Sequence, residues 1–239
     1  MKIRLGKDKK EKSKGFVSAV IVAAGSSSRM GGVDKLASLL AGETVIARSI
    51  RAFQDSEDIS EIVLVLRKGA ERSALEGASG CDKVSRIVHG GSTRTESSYA
   101  GVMACDPEAE IILIHDGARP LVTKEVIRSA VEGARKYGAA VPVTPVADTI
   151  KVGKDGFADS TPDRASLFAA QTPQAFRAEL IKAGLQNARD RGLSLTDDCA
   201  AVEKLGMHVK LVEGDPCNRK ITLPADLALA EALYKERNP

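Results

Sequence analysis

Residues 17–35 read VSAVIVAAGSSSRMGGVDK, an apolar run that becomes, at Gly25, a loop of glycine, serine and basic residues. The run from Val17 to Ala24 is short, β-branched and closed by glycine, which fits a buried parallel strand better than a helix. The loop then lies at a strand's carboxyl end, where open α/β sheets bind ligands. Its small residues let the backbone approach a ligand closely, and Arg29 and Lys35 bring positive charge, so phosphate is the guest it suits. It matches neither common phosphate loop. Met30 stands where a Walker A loop needs its Gly-Lys-Ser/Thr, and Ser27 stands where the dinucleotide fingerprint needs its second glycine.

Outward from this stretch, strand-like and helix-like segments alternate. The pattern predicts strands at 17–23, 61–66, 84–88, 110–115, 139–143 and 208–212. Helices are expected at about 44–54, 70–77, 95–105, 123–136, 177–190, 197–205 and 224–236. Thr93 with Glu96 predicts a capping box, and Thr196 before Asp197 and Asp198 predicts another helix start. The expected fold is α/β, a doubly wound, mostly parallel Rossmann-like sheet. Residues 144–163 break the rhythm: Lys154-Asp155-Gly156 separates two short extended pieces, the mark of a protruding β-hairpin arm at about 144–165. A two-stranded ribbon is barely stable alone in water, so the arm is expected to pack on something, with a second subunit as a candidate.

At 239 residues with 43% apolar composition, the chain can bury one substantial core, read as a single domain over 16–239. Lys and Arg number 35 against 32 Asp and Glu, a formal +3. Seven of those basic residues and two of the acidic ones lie in residues 1–15, which leaves 28 against 30, a net −2, for the rest. The basicity belongs to a leader read as a disordered tail, not to a nucleic-acid surface. Aromatics are 3% and Trp is absent, so no basic stripe is interleaved with aromatics and no nucleic-acid partner is expected. The apolar runs are too short to cross a bilayer and no secretory segment follows the basic start; the expectation is a soluble, cytoplasmic protein with no membrane partner. Cys81, Cys105, Cys199 and Cys217 lack CxxC spacing, which predicts reduced, mostly packed thiols without structural zinc, Cys217 being the one partly exposed.

Three further stretches could carry chemistry. In HGGSTRTESS, 89–98, Gly90-Gly91 follows a strand and leads toward a helix, so its amides could meet a base edge or a phosphate; tight turns use the same pair, and Arg94 also reads as a solvated surface residue. In IILIHDGARP, 111–120, a hydrophobic strand delivers His115 and Asp116 to its carboxyl end. Asp116 there suits magnesium, which takes few carboxylates and adds water and phosphate oxygens, while His115 reads as structural. In EGDPCNRKITLPADL, 213–227, Asn218 and Lys220 lie two apart and would share a face of an extended segment, and Pro224 opens the last helix.

The ordered set AAGSSSRMGGVDK, GGSTRTES, HDGARP, DTIK, DRASLFAAQTPQAF, LTDDCAAVEKLG and NRKIT resembles the 2-C-methyl-D-erythritol 4-phosphate cytidylyltransferases of the non-mevalonate isoprenoid pathway, over about residues 17–236. The resemblance implies CMP transfer from CTP to methylerythritol phosphate with release of pyrophosphate, and Mg²⁺ or another divalent cation as cofactor. It implies that Ala23, Ala24, Gly25, Arg29 and Lys35 hold the triphosphate and that Gly91, Ser92 and Ser97 read cytosine. Asp116, Gly117 and Arg119 would bind ribose, metal and sugar phosphate, with Thr196 and Lys220 as further contacts. The arm would be exchanged across a homodimer, with Thr149 and Arg164 reaching the partner's acceptor. Arg29, Lys35 and Lys220 are the expected catalytic cations. The chain departs from the family pattern at Val22, where many relatives have proline, and at Ser92, where an acid is common; Lys35 is assigned through its GGVDK context. The rival readings are a ribitol 5-phosphate or other alditol-phosphate cytidylyltransferase, with Ala118 favouring methylerythritol phosphate, and a non-catalytic nucleotide-binding module.

Overall fold

The computed structural model describes residues 15–25 and 34–238. The leader up to residue 14 and the loop segment 26–33, with Arg29, lie outside them.

The opening run forms β1 (Val17–Ala23), whose alternate side chains enter two cores: Val17, Ala19, Ile21 and Ala23 face one way and Val20 the other. A small hairpin, β2 (Leu39–Leu40) and β3 (Glu43–Thr44), precedes α1 (Val45–Gln54), which Thr44 caps by accepting the Ala47 amide. Then come β4 (Glu61–Leu66), α2 (Glu71–Gly77), β5 (Val84–His89), α3 (Arg94–Met103), β6 (Ile111–Asp116) and α4 (Lys124–Tyr137). Gly138, at φ 93, ends α4 in a conformation that side chains resist, and the chain turns into β7 (Ala139–Pro145).

β8 (Val152–Lys154) and β9 (Phe157–Ser160) pair only with each other, across a turn in which Asp155 (φ 51) and Gly156 (φ 84) both adopt positive φ. A 3-10 turn over Arg164–Ser166 returns the chain to β10 (Phe168–Ala170) and β11 (Gln174–Arg177). The chain closes with α5 (Ala178–Asp190), α6 (Cys199–Glu203), β12 (Lys210–Glu213) and α7 (Pro224–Arg237).

The main sheet runs β10-β7-β11-β6-β1-β4-β5, with β12 pairing β7. It is doubly wound and mostly parallel; β10 and β11 run against the rest. One face is covered by α1, α2 and α4 around Ile21, Ile50, Phe53 and Leu64, the other by α3, α5 and α6 around Val20, Val65, Phe176 and Ile181.

The sequence reading missed β2, β3, β10 and β11 because each spans two to four residues, too few to show a period. The last predicted strand lies at 210–213 rather than 208–212. Cys81, Cys105 and Cys199 are buried and Cys217 is half-buried, all four as free thiols, and burial pushes the Cys105 thiol up to about 12. Among the described residues no helix is long and apolar enough to cross a membrane.

Candidate active site

β1 is flanked by β4 on one side and β6 on the other, so the winding reverses there and a crevice opens beyond the strand ends. Ala23 to Gly25 at the end of β1, Gly91 to Arg94 after β5, Asp116 and Ala118 at the end of β6, and Lys35, Ser97, Lys220 and Thr222 line this cleft of about 390 Å³.

Two glycines are there for close approach. A Cβ on Gly90 would lie 2.4 Å from the Ala24 Cβ and 2.6 Å from the Ser97 hydroxyl, and one on Gly91 would lie 2.4 Å from the Glu96 side chain. Ser92 donates both its amide (2.7 Å) and its hydroxyl (2.8 Å) to Glu96 Oε2, and Thr93 Oγ1 accepts the Glu96 amide at 3.1 Å. Half of the predicted capping box forms: Thr93 caps α3 by accepting the Glu96 amide, while the Glu96 carboxylate reaches one residue further back and takes the Ser92 amide.

Asp116 is the charge centre. Lys220 Nζ lies 2.8 Å from its Oδ2, Arg94 Nη2 lies 3.4 Å from its Oδ1, and Arg119 Nε lies 3.8 Å from Oδ2. Burial alone would raise the Asp116 carboxyl, but Arg94, Lys220 and Arg119 outweigh it and hold it well below the usual carboxylate range. Arg94 also donates to buried Asp198 Oδ2 at 2.7 Å. It is an inward residue of the cleft and not the solvated one its sequence context also allowed. Asp198 is set by Gln174, whose Oε1 accepts the amides of Asp198 (2.9 Å) and Cys199 (3.0 Å) while its Nε2 donates to Asp197 Oδ2. α6 therefore starts at Cys199, capped from β11 and by Asp197, and the cap predicted at Thr196 does not form; Thr196 is exposed and outside the cleft.

The other predicted residues divide by place. Gly117 is a packing residue: its amide donates to Val22 O, its carbonyl accepts from Ser49, and a Cβ would press on Ile46. Arg119 lies behind the cleft, donating to the Asn218 carbonyl at 2.7 Å, with its Nε buried and without a hydrogen bond. Asn218 and Lys220 do not share a face. The Asn218 side chain is buried against Gln171 and Thr172, whereas Lys220 opens to the cleft. Thr149 and Arg164 stand on the exposed arm, away from this cleft, with Arg164 donating to Ala147 O.

His115 is structural, and the hydrogen-bond pattern assigns its proton. The Thr172 hydroxyl accepts the Asp116 amide (3.0 Å) and donates to His115 Nδ1 (3.1 Å), which leaves Nε2–H to donate to Arg119 O (3.2 Å). Burial pushes the ring down to about 4 from an ordinary 6.5. Between those values the unfolded chain holds the proton and the folded chain does not, so stability falls as pH drops from 6.5 toward 4, by up to about 3 kcal/mol. Denaturant midpoints across that range should show the loss, and His115→Gln should flatten that part of the slope.

Among the described residues no group of three or more His, Cys, Asp or Glu could hold a metal ion, and Asp116 is the only acid lining the cleft. A single carboxylate fits the way magnesium is held when substrate phosphates and water complete its shell.

A cation-rich cleft with glycine turns and one carboxylate, at the reversal point of a doubly wound sheet, defines an α/β enzyme that handles phosphorylated ligands. A protein-family model described as 2-C-methyl-D-erythritol 4-phosphate cytidylyltransferase matches residues 17–236. A protein of that name from Caldanaerobacter subterraneus subsp. tengcongensis is 46% identical over 226 residues, 92% of this chain and 99% of its own. One from Desulforamulus reducens is 43% identical over 229 residues, 94% of this chain and 98% of its own. The crystal structure of 4-diphosphocytidyl-2C-methyl-D-erythritol synthase from Anaerococcus prevotii is similar with a TM-score of 0.84 at 33% identity, covering 93% of this chain and 99% of that one. The chain belongs to the 2-C-methyl-D-erythritol 4-phosphate cytidylyltransferase family, a family of nucleotidyltransferases.

Proposed function

We propose that the chain transfers CMP from CTP to 2-C-methyl-D-erythritol 4-phosphate, giving 4-diphosphocytidyl-2-C-methyl-D-erythritol and pyrophosphate. The observation that carries this reading is the cationic cleft: Lys35, Arg94 and Lys220 line it with Asp116 as the sole acid among the described residues, and Arg119 stands behind. Both reactants are anions, so their encounter needs this excess of positive charge.

An acceptor phosphate oxygen attacks the α-phosphorus of CTP in line, and the bond to the bridging oxygen of the β-phosphate breaks. A side-chain base adds little, because a monoester phosphate with a second pKa of about 6 is largely ionised at neutral pH. Catalysis then rests on positioning and electrostatic stabilisation. Ala23, Ala24 and Gly25 cradle the triphosphate with their backbone, and Gly91, Ser92 and Ser97 read the base. Lys35, with Arg29 beyond the described residues, stabilises charge growing on the α-phosphate and pyrophosphate. Lys220 holds the acceptor phosphate against that centre, and Arg119, behind the cleft, faces Asp116 and adds positive charge from there. Asp116 would hold Mg²⁺, which when bound neutralises triphosphate charge.

The active form in this reading is a homodimer. Residues 148–161 are all exposed, and Phe157 shows 80% of its surface on a hairpin that pairs only with itself. A second copy would bury this apolar tip and bring Thr149 and Arg164 to the partner's acceptor site. Phe157→Asp is expected to weaken self-association by about 30-fold or more and to raise the KM for acceptor, read by light scattering and steady-state kinetics. Methylerythritol phosphate and ribitol 5-phosphate, assayed side by side with CTP and Mg²⁺, test the acceptor. A clear preference for the first is expected, and a preference for ribitol 5-phosphate would overturn the substrate assignment.

A further inference from the structure

Ser92 and Glu96 form the wall between two cavities. Ser92 lines the cleft beneath the strand ends, while Glu96 lines a neighbouring cavity of about 520 Å³ between α3 and α5 and does not reach that cleft. Glu96 Oε2 accepts the Ser92 hydroxyl at 2.8 Å and the Ser92 amide at 2.7 Å. The Ser92 hydroxyl has one proton, and Glu96 takes it. Toward the cleft Ser92 therefore offers lone pairs only.

Ser97, the neighbouring cleft serine, is committed the same way, its hydroxyl donating to the Thr93 carbonyl at 2.9 Å. Two hydroxyls that could each have turned to donate are thus both fixed as acceptors. The Glu96 carboxylate is kept ionised by the hydrogen bonds from Ser92, so it does not become a donor that would release the serine proton. A side chain at either glycine would disturb the pair, since a Cβ on Gly91 would lie 2.4 Å from the Glu96 side chain and one on Gly90 2.6 Å from the Ser97 hydroxyl.

We propose that Glu96 is a specificity-determining positioning residue: it makes Ser92 an obligate acceptor, so the cleft selects a nucleobase with an amino group at the 4-position and rejects one with a carbonyl there. Cytosine presents an N–H donor at that position, and uracil an oxygen acceptor that would face the lone pairs of Ser92 with no proton between them. This rests on the reading that Gly91, Ser92 and Ser97 meet the base.

The test reads binding, so that it is independent of turnover. CTP and UTP are titrated calorimetrically, with Mg²⁺, into the full chain and into Glu96→Ala, Glu96→Gln, Ser92→Ala and the Ser92→Ala/Glu96→Ala pair. The parent chain is expected to prefer CTP. Glu96→Ala, which lets Ser92 turn its proton to the ligand, is expected to lose about tenfold of that preference, the worth of one unpaired polar contact. Glu96→Gln should retain most of it, because an amide carbonyl still accepts from Ser92. Ser92→Ala should lose as much as Glu96→Ala, with no further loss in the pair. Equal weakening of CTP and UTP by Glu96→Ala would reveal a merely structural role, and an unchanged ratio would sink the proposal, as would a parent chain that does not discriminate. A parent chain that binds CTP selectively yet transfers nothing would overturn the catalytic reading and leave this inference standing.

Discussion

Lys35→Ala is expected to lower turnover at saturating CTP by about 10²- to 10³-fold, the usual cost of removing one preorganised donor from developing transition-state charge. Lys35 follows Asp34, whose Oδ1 accepts the Leu36 amide at 3.1 Å and whose Oδ2 pairs with Arg67 at the end of β4. The turn that presents the lysine to the cleft is thus tied to the sheet, and Lys35 lines that cleft. The kinetic signature separates roles. A lysine used only to hold the nucleotide would raise KM for CTP and spare turnover, whereas one used on the α-phosphate lowers turnover even when CTP saturates. Near-normal turnover of the alanine variant would remove Lys35 from the chemistry.

Asp116→Asn is expected to abolish detectable transfer, a loss of more than about 10³-fold, and to cost about 3 kcal/mol of stability. The carboxylate is contacted by Lys220 and Arg94 and faced by Arg119, in a site where its own side chain is largely buried. An amide leaves those cations close together without their shared counter-charge, apart from Asp198 on the far side of Arg94. For a chain of this size the thermal midpoint should fall by about 6–12 °C. Pyrophosphate brings negative charge of its own and should recover more stability in Asp116→Asn than in the parent chain. A variant as stable as the parent would show that the cation cluster does not depend on Asp116.

How much of this was legible in the sequence follows from where each partner lies. β1 is an apolar run broken only by Ser18 and followed by Ala24-Gly25, and β6 is an apolar run that ends in His115-Asp116, so strand and strand-end residues could be read from one local pattern. The Gly90-Gly91 turn was visible too, though only the structure shows that Glu96, not a ligand, takes the Ser92 amide. Arg94 was ambiguous because its partners, Asp116 and Asp198, are 22 and 104 residues away. A usable signal existed: Arg94 opens the helix that follows a glycine turn at a strand end, a place that faces the crevice. Gln174 and Thr172 were quoted within a motif but given no role, since an amide that caps a helix 24 residues later, and a hydroxyl shared by Asp116 and His115, leave no periodicity. The same long-range cap explains why a local reading placed the start of α6 at Thr196.

The most direct test follows the phosphorus atoms. With CTP, Mg²⁺ and methylerythritol phosphate, phosphorus NMR of the full chain should show the acceptor monoester signal and the triphosphate disappearing together. One pyrophosphate and one diphosphodiester should appear for each pair consumed, with no reaction when the acceptor is left out. CTP converted to CMP without use of the acceptor, or no pyrophosphate at all, would contradict the account.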